Sequence, residues 1–132
     1  MLRGRAIFEG EAEGTALVST SQMSFYGGID PRTGTVVERG SGLFGEAVRG
    51  KVLVFPSGKG STVGSYVLYR LKKSGLAPCA MVNSRCETIV AVGAIISEIP
   101  CVDMVDIGKI GNGEHVRIKG DTVEVLDRRP SV

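Results

Sequence analysis

Residues 51–65, KVLVFPSGKGSTVGS, constrain this chain more than any other segment. Val52, Leu53, Val54 and Phe55 form a β-prone apolar run that Pro56 stops. A glycine-bearing loop follows with Gly58, Lys59, Gly60, Ser61 and Thr62, and Val63, Val67 and Leu71 then recur every four residues. That recurrence predicts a helix with one face on a core. A strand feeding a glycine loop into a helix start can form an anion site. The first helical N–H groups have no intrahelical partner and carry the positive end of the dipole. Lys59 adds a full positive charge, and Ser61 and Thr62 add hydroxyls. Two simpler readings use the same residues: Ser61 or Thr62 serves only as an N-cap, or the glycines only permit a tight turn. Capping one helix needs one such residue, and this loop concentrates several.

The loop is not a nucleotide triphosphatase P-loop, which needs G-x-x-x-x-G-K-[ST]. Here Gly60 follows the Gly58-Lys59 pair, and Leu53 stands where the first glycine belongs.

A chain of 132 residues is expected to form one domain with a real core. Hydrophobic content of 42% and charged content of 23% are ordinary for a soluble globular protein. A net charge of +2, scattered basic residues and few aromatics argue against a nucleic-acid surface. No segment has a signal-peptide layout or approaches the ~20 apolar residues of a membrane span, so the cytoplasm is the expected location. The three cysteines, Cys79, Cys86 and Cys101, are odd in number and lack C-x-x-C spacing, which argues against a disulfide framework or a zinc site. Cys79 and Cys101 read as small buried hydrophobes in strands. Cys86 falls in a polar loop before a helix, a position that can be exposed. The single His115 reads as structural.

Along the chain, residues 6–8 and 15–19 read as short strands separated by a Gly/Glu stretch at 10–14. Residues 23–26 form a brief apolar-aromatic piece, and GGIDPRTG at 27–34 is a turn region. Asp30 before Pro31 is a common turn starter. Gly27 and Gly28 would allow close backbone approach if this loop lined a site. A short strand is expected at 36–38 and an irregular stretch at 40–50, with a helical turn near 44–48. Further strands are expected at 51–55, 80–83 and 101–105, and helices from Val63 and over 87–96. The second helix is almost wholly apolar and is expected to be buried. Strand, helix, strand, helix, strand implies βαβ crossovers and parallel pairing. Residues 115–118 and 122–126 alternate around Lys119, Gly120 and Asp121, a β-hairpin pattern. Residues 128–132 read as a disordered tail.

The order of these pieces resembles the small subunit of aconitase X type hydro-lyases, members of the aconitase superfamily. SFYGGIDPRTG at 24–34, FPSGKGSTVGSYVLYRL at 55–71 and IVAVGAIISEIPCVD at 89–103 carry the resemblance, which covers nearly the whole chain. It implies an α/β fold, a single swivelling β/β/α domain equivalent to the mobile last domain of aconitases. It also implies a large partner subunit, together forming a heterodimer, with a [4Fe–4S] cluster in the partner and no cofactor in this chain. The loop serine that removes a proton from carbon falls on Ser61. The archaeal branch implies dehydration of 5-phosphomevalonate to trans-anhydromevalonate 5-phosphate, on a route to isoprenoids.

On this resemblance Ser61 is the catalytic base. Lys59 and the backbone of Gly58, Gly60 and Thr62 are anion donors, and Gly27, Gly28, Asp30 and Arg32 line the cleft. Aconitases follow the loop serine with a second serine and an arginine. Here Thr62 and Val63 follow, so one carboxylate clamp is absent, as suits the aconitase X branch. Related aconitase X proteins act on cis-3-hydroxy-proline, so another hydroxy acid is an alternative substrate. A non-catalytic phosphate-binding module would use the same loop equally well.

Overall fold

The structure, a computed structural model, describes residues 1–126; the expected tail at 128–132 lies outside them. Among the described residues, ten strands and two α-helices follow one another. The strands are β1 (Leu2–Arg3), β2 (Arg5–Phe8), β3 (Glu11–Val18), β4 (Ile29–Asp30), β5 (Thr35–Val36), β6 (Val52–Phe55), β7 (Ala80–Asn83), β8 (Cys101–Asp103), β9 (His115–Lys119) and β10 (Thr122–Val125). The helices are α1 (Val63–Lys73) and α2 (Thr88–Ser97), with 3-10 turns at Arg39–Ser41 and Ile107–Lys109.

Eight strands pair in the order β1-β10-β9-β3-β6-β7-β8-β2, and β4 pairs with β5 apart from them. β3 is the shared member. Its first half pairs antiparallel with β9, Glu11 opposite Lys119 through Thr15 opposite His115, and its second half pairs parallel with β6. β6, β7 and β8 continue in parallel, joined through α1 and α2. The α/β expectation therefore holds, with parallel central strands and a C-terminal hairpin.

The parallel strands are buried on both faces, and their alternation separates two cores. Leu53 and Phe55 of β6 and Met81 of β7 pack with Val67, Leu68, Leu71, Val90 and Ala94 of the helices. Val52, Val54, Ala80 and Val82 face the other way, onto Val116, Ile118 and Val123 of the hairpin. The result is helices, a parallel sheet and an antiparallel layer. Burying each large apolar side chain contributes about 1.5–3 kcal/mol. Phe55, fully buried, meets Phe25 edge-on at 5.7 Å between ring centroids.

Several expectations need correction. The Gly/Glu stretch at 10–14 is no separator: β3 begins at Glu11, with Glu11 and Glu13 exposed and Ala12 turned inward. Gly14 fits the strand because a Cβ there would stand 2.8 Å from the Gly50 carbonyl. The expected strand at 36–38 starts earlier and is two residues long. No helical turn forms at 44–48, because this stretch is drawn onto β5. Val36 N–H donates to Glu46 O, Gly45 N–H donates to Val36 O, and Ala47 bridges Thr35. Nor is α2 wholly buried. It turns Val90, Gly93, Ala94 and Ser97 inward and leaves Val92, Ile95 and Ile96 exposed by 40–51%.

Candidate functional site

The loop after β6 leaves the carboxyl end of a parallel strand, the usual position of ligand sites in open α/β sheets. Ser61 precedes α1, and its Oγ accepts a hydrogen bond from Val63 N–H at 3.1 Å. Thr62 has helical φ/ψ and makes no side-chain cap bond. Ser61 is therefore the capping hydroxyl. The same N–H would also stabilise negative charge on that oxygen, so capping and base chemistry do not exclude each other. Gly64 N–H donates to Ser61 O and Ser65 N–H to Thr62 O. Among the described residues, the N–H groups of Gly60, Ser61 and Thr62 make no hydrogen bond. They stand at the positive end of α1, with Ser61 and Thr62 exposed.

A second segment braces this loop. Met23 N–H donates to Ser57 O at 3.1 Å and Lys59 N–H to Met23 O at 3.0 Å. Gln22 Nε2 donates to Ser57 Oγ at 2.9 Å. Gly60 has φ +99°, and a Cβ there would stand 2.8 Å from Ser24 Oγ. A side chain at Gly60 would thus meet both backbone strain and a collision. Gly58 is buried where a Cβ would overlap the Glu87 carboxylate. Glu87 in turn caps α2 by accepting from Ile89 and Val90 N–H. The loop start is thereby seated on the second helix. The adjoining turn is fixed from β8: buried Asp103 accepts two bonds from Arg5, at 3.0 and 2.9 Å, and one from Cys86 N–H at 2.9 Å.

Lys59 is the largest departure from the sequence reading. Its Nζ lies 3.3 Å from Glu38 Oε2, so its charge is partly offset. Nothing in the local sequence pattern pairs these two residues. Gly28 is buried against the Ser24 carbonyl beside Glu38, while Gly27 is exposed. Asp30 accepts Arg32 N–H at 2.9 Å and pairs with Arg32 Nε at 3.5 Å. These bonds, the Arg32 N–H first, hold the Asp30 carboxyl below its usual range. No hydrogen bond or ion pair among the described residues links Asp30 or Arg32 to the 58–62 loop. Asp30 and Gly27 do line a cavity of ≈ 470 Å³ whose other wall is α1, with Val63, Tyr66, Val67 and Arg70. Val63 connects this cavity to the Ser61 loop.

The cysteines lie elsewhere. Cys101 is buried in β8 as expected. Cys79 is only half-buried, just before β7, with its Sγ 3.9 Å from Glu13 O. Burial pushes the Cys79 thiol up, and a hydrogen bond to Cys86 together with burial raises that of Cys101. Cys86 is half-buried against the helix-side core. His115 Nε2 meets Glu13 Oε2 at 2.5 Å on the hairpin layer. Among the described residues, no group of three or more His, Cys, Asp or Glu side chains could hold a metal ion. These residues do not fit an iron–sulfur cluster. No described helix is long and apolar enough to cross a membrane.

The sequence profile of the aconitase X swivel domain matches residues 1–125. The chain belongs to this family. Among other members, it is 54% identical over 124 residues to the phosphomevalonate dehydratase small subunit of Thermococcus sibiricus, covering 94% of this chain and 95% of that one. It is 55% identical over 122 residues to the phosphomevalonate dehydratase small subunit of Methanosarcina acetivorans, covering 90% and 85%. The crystal structure of Thermococcus kodakaraensis aconitase X in its holo-form superposes with a TM-score of 0.94 at 52% identity, covering 96% and 98% of the two chains. The aconitase X swivel domain is therefore the frame in which the Ser61 loop, its brace and the α1 cavity are to be understood.

Proposed function

We propose that this chain is the small subunit of a phosphomevalonate dehydratase, a hydro-lyase that converts 5-phosphomevalonate to trans-anhydromevalonate 5-phosphate with a large partner subunit. Near-full-length identity of about half to small subunits of that name supports the reading. The observation that carries the mechanism is the Ser61 hydroxyl, held by Val63 N–H beside the N–H groups of 60–62. Serine is a weak base unless its alkoxide is stabilised, and the Val63 N–H bonded to Ser61 Oγ at the head of α1 supports that role. The Ser61 alkoxide takes the proton from the substrate carbon and becomes the hydroxyl, the C–H electron pair forms the new double bond, and the neighbouring C–O bond breaks with the oxygen departing as hydroxide. That hydroxide and the proton on Ser61 together make up the water lost. A [4Fe–4S] cluster in the partner would supply the Lewis acid for that departing oxygen. Lys59 and the backbone of Gly58, Gly60 and Thr62 bind the anionic groups of the substrate, and Gly27, Gly28, Asp30 and Arg32 border the cleft.

The chain acts as one swivelling domain that brings half of a site. To reach a partner's cleft, the Ser61 face must be covered on assembly. Next to it stand the exposed Tyr26, Val63 and Tyr66, apolar surface of the kind that a subunit contact buries. Free thiols suit a reducing cytoplasm.

The test is to co-express this chain with its large subunit, reconstitute the cluster without oxygen and assay dehydration. Turnover of 5-phosphomevalonate by the complex, and none by the chain alone, is expected. A loaded complex that ignores it and turns over cis-3-hydroxy-proline would replace the substrate. Turnover by the chain alone would overturn the two-subunit reading.

A further inference from the structure

An exposed lysine with a long flexible stem samples a wide volume, so its charge is poorly placed unless something holds it. Lys59 is held. Its Nζ lies 3.3 Å from Glu38 Oε2, and the Glu38 side chain is the more buried partner, 25% exposed against 48%. Glu38 N–H donates to Gly28 O at 3.3 Å, beside Val37 N–H to the same carbonyl at 2.9 Å. Gly28 is itself pressed against Ser24. At the other end, Lys59 N–H is fixed on Met23 O. Both members of the ion pair are therefore anchored to residues 23–28, the segment that braces the Ser61 loop.

We infer that Glu38 is a positioning residue for Lys59, setting where the ammonium stands so that it presents to an anionic substrate group at the same turn as the 60–62 N–H groups. An ammonium has three donors, so one bond to Glu38 leaves two for a ligand. The pair need not break for Lys59 to bind phosphate or carboxylate. This inference rests on the proposed dehydratase reading and names a residue that the loop motif does not contain. An opposite role, in which Glu38 competes with substrate for Lys59, predicts the opposite sign.

The kinetic test uses the reconstituted two-subunit enzyme. Glu38→Gln is expected to raise KM for 5-phosphomevalonate by about five- to tenfold while kcat changes less. Glu38→Asp should recover part of that loss. In a Lys59→Met background, Glu38→Gln should add nothing, because Glu38 acts through Lys59. A KM that falls or stays unchanged, or effects that multiply in the double variant, would overturn the inference.

A second measurement needs no substrate: the NMR order parameter of the Lys59 ammonium in the full chain. It should drop in Glu38→Gln, and an unchanged value would overturn the inference on its own. If the wild-type complex fails to dehydrate 5-phosphomevalonate, the functional reading fails, while this measurement still decides whether Glu38 holds Lys59.

Discussion

The Ser61 hydroxyl accepts the N–H of Val63 at 3.1 Å, and so the atom proposed as the base also caps α1. The two roles separate experimentally. Replacing an N-cap serine by alanine costs roughly 0.5–2 kcal/mol. Ser61→Ala should lose about that much stability in urea unfolding. Thr62→Ala should lose less than about 0.5 kcal/mol, since Thr62 makes no side-chain cap bond.

Gly60 should tolerate no side chain. Its φ of +99° and the 2.8 Å approach of a Cβ to Ser24 Oγ penalise alanine independently. Gly60→Ala is expected to destabilise by roughly 1–3 kcal/mol. Adding Ser24→Ala should recover the collision part and leave the backbone part, which thermal melts of the single and double variants can resolve.

Gly93 lies where α2 crosses α1. A Cβ there would stand 2.5 Å from Leu68 Cδ1 and 3.3 Å from Ser65 Cα, with Leu68 fully buried. Glycine inside a helix is normally a loss, yet here the close crossing wins. Gly93→Val should overpack the contact and cost about 1–3 kcal/mol in chemical denaturation.

Glu13 supplies a pH signature. Hydrogen bonds from His115 first, and then Arg117, hold its carboxyl below the usual carboxylate value. A depressed native pKa contributes stability that is present above the unfolded value, about 4.3, and is lost as pH falls through the native one. Glu13→Gln should therefore be less stable than wild type at pH 7, with the gap closing as pH drops below about 4. Half-exposed partners make the gap small and salt-sensitive. Urea midpoints at pH 7 and pH 3 check the sign.

Much of this architecture was legible in the residues, for identifiable reasons. α1 announced itself by Val67, Leu68 and Leu71, which are buried, although Val63 at the head of the same stripe stays exposed, and the hairpin by alternation around Lys119-Gly120-Asp121. α2 is apolar all round, so no period could show that Ile95 and Ile96 face outward. The Glu11–Gly14 part of β3 was hidden because glycine and glutamate disfavour strands locally, and only pairing with β9 overrides that. The Ser61 loop was visible as a motif. Its brace was not: Lys59 meets Glu38, and Gly60 meets Ser24, across long sequence separations that only the tertiary fold closes. Asp30 and Arg32 pair with each other over two residues, and the cavity that Asp30 lines with α1 is closed only by the tertiary fold.

The most direct measurement compares wild type and Ser61→Ala in the assembled, cluster-loaded two-subunit enzyme, assayed for dehydration of 5-phosphomevalonate. With Ser61 as base, kcat should fall by about 10²–10⁴-fold while assembly is retained. A Ser61→Ala complex that dehydrates this substrate within a few-fold of wild type would contradict the assignment.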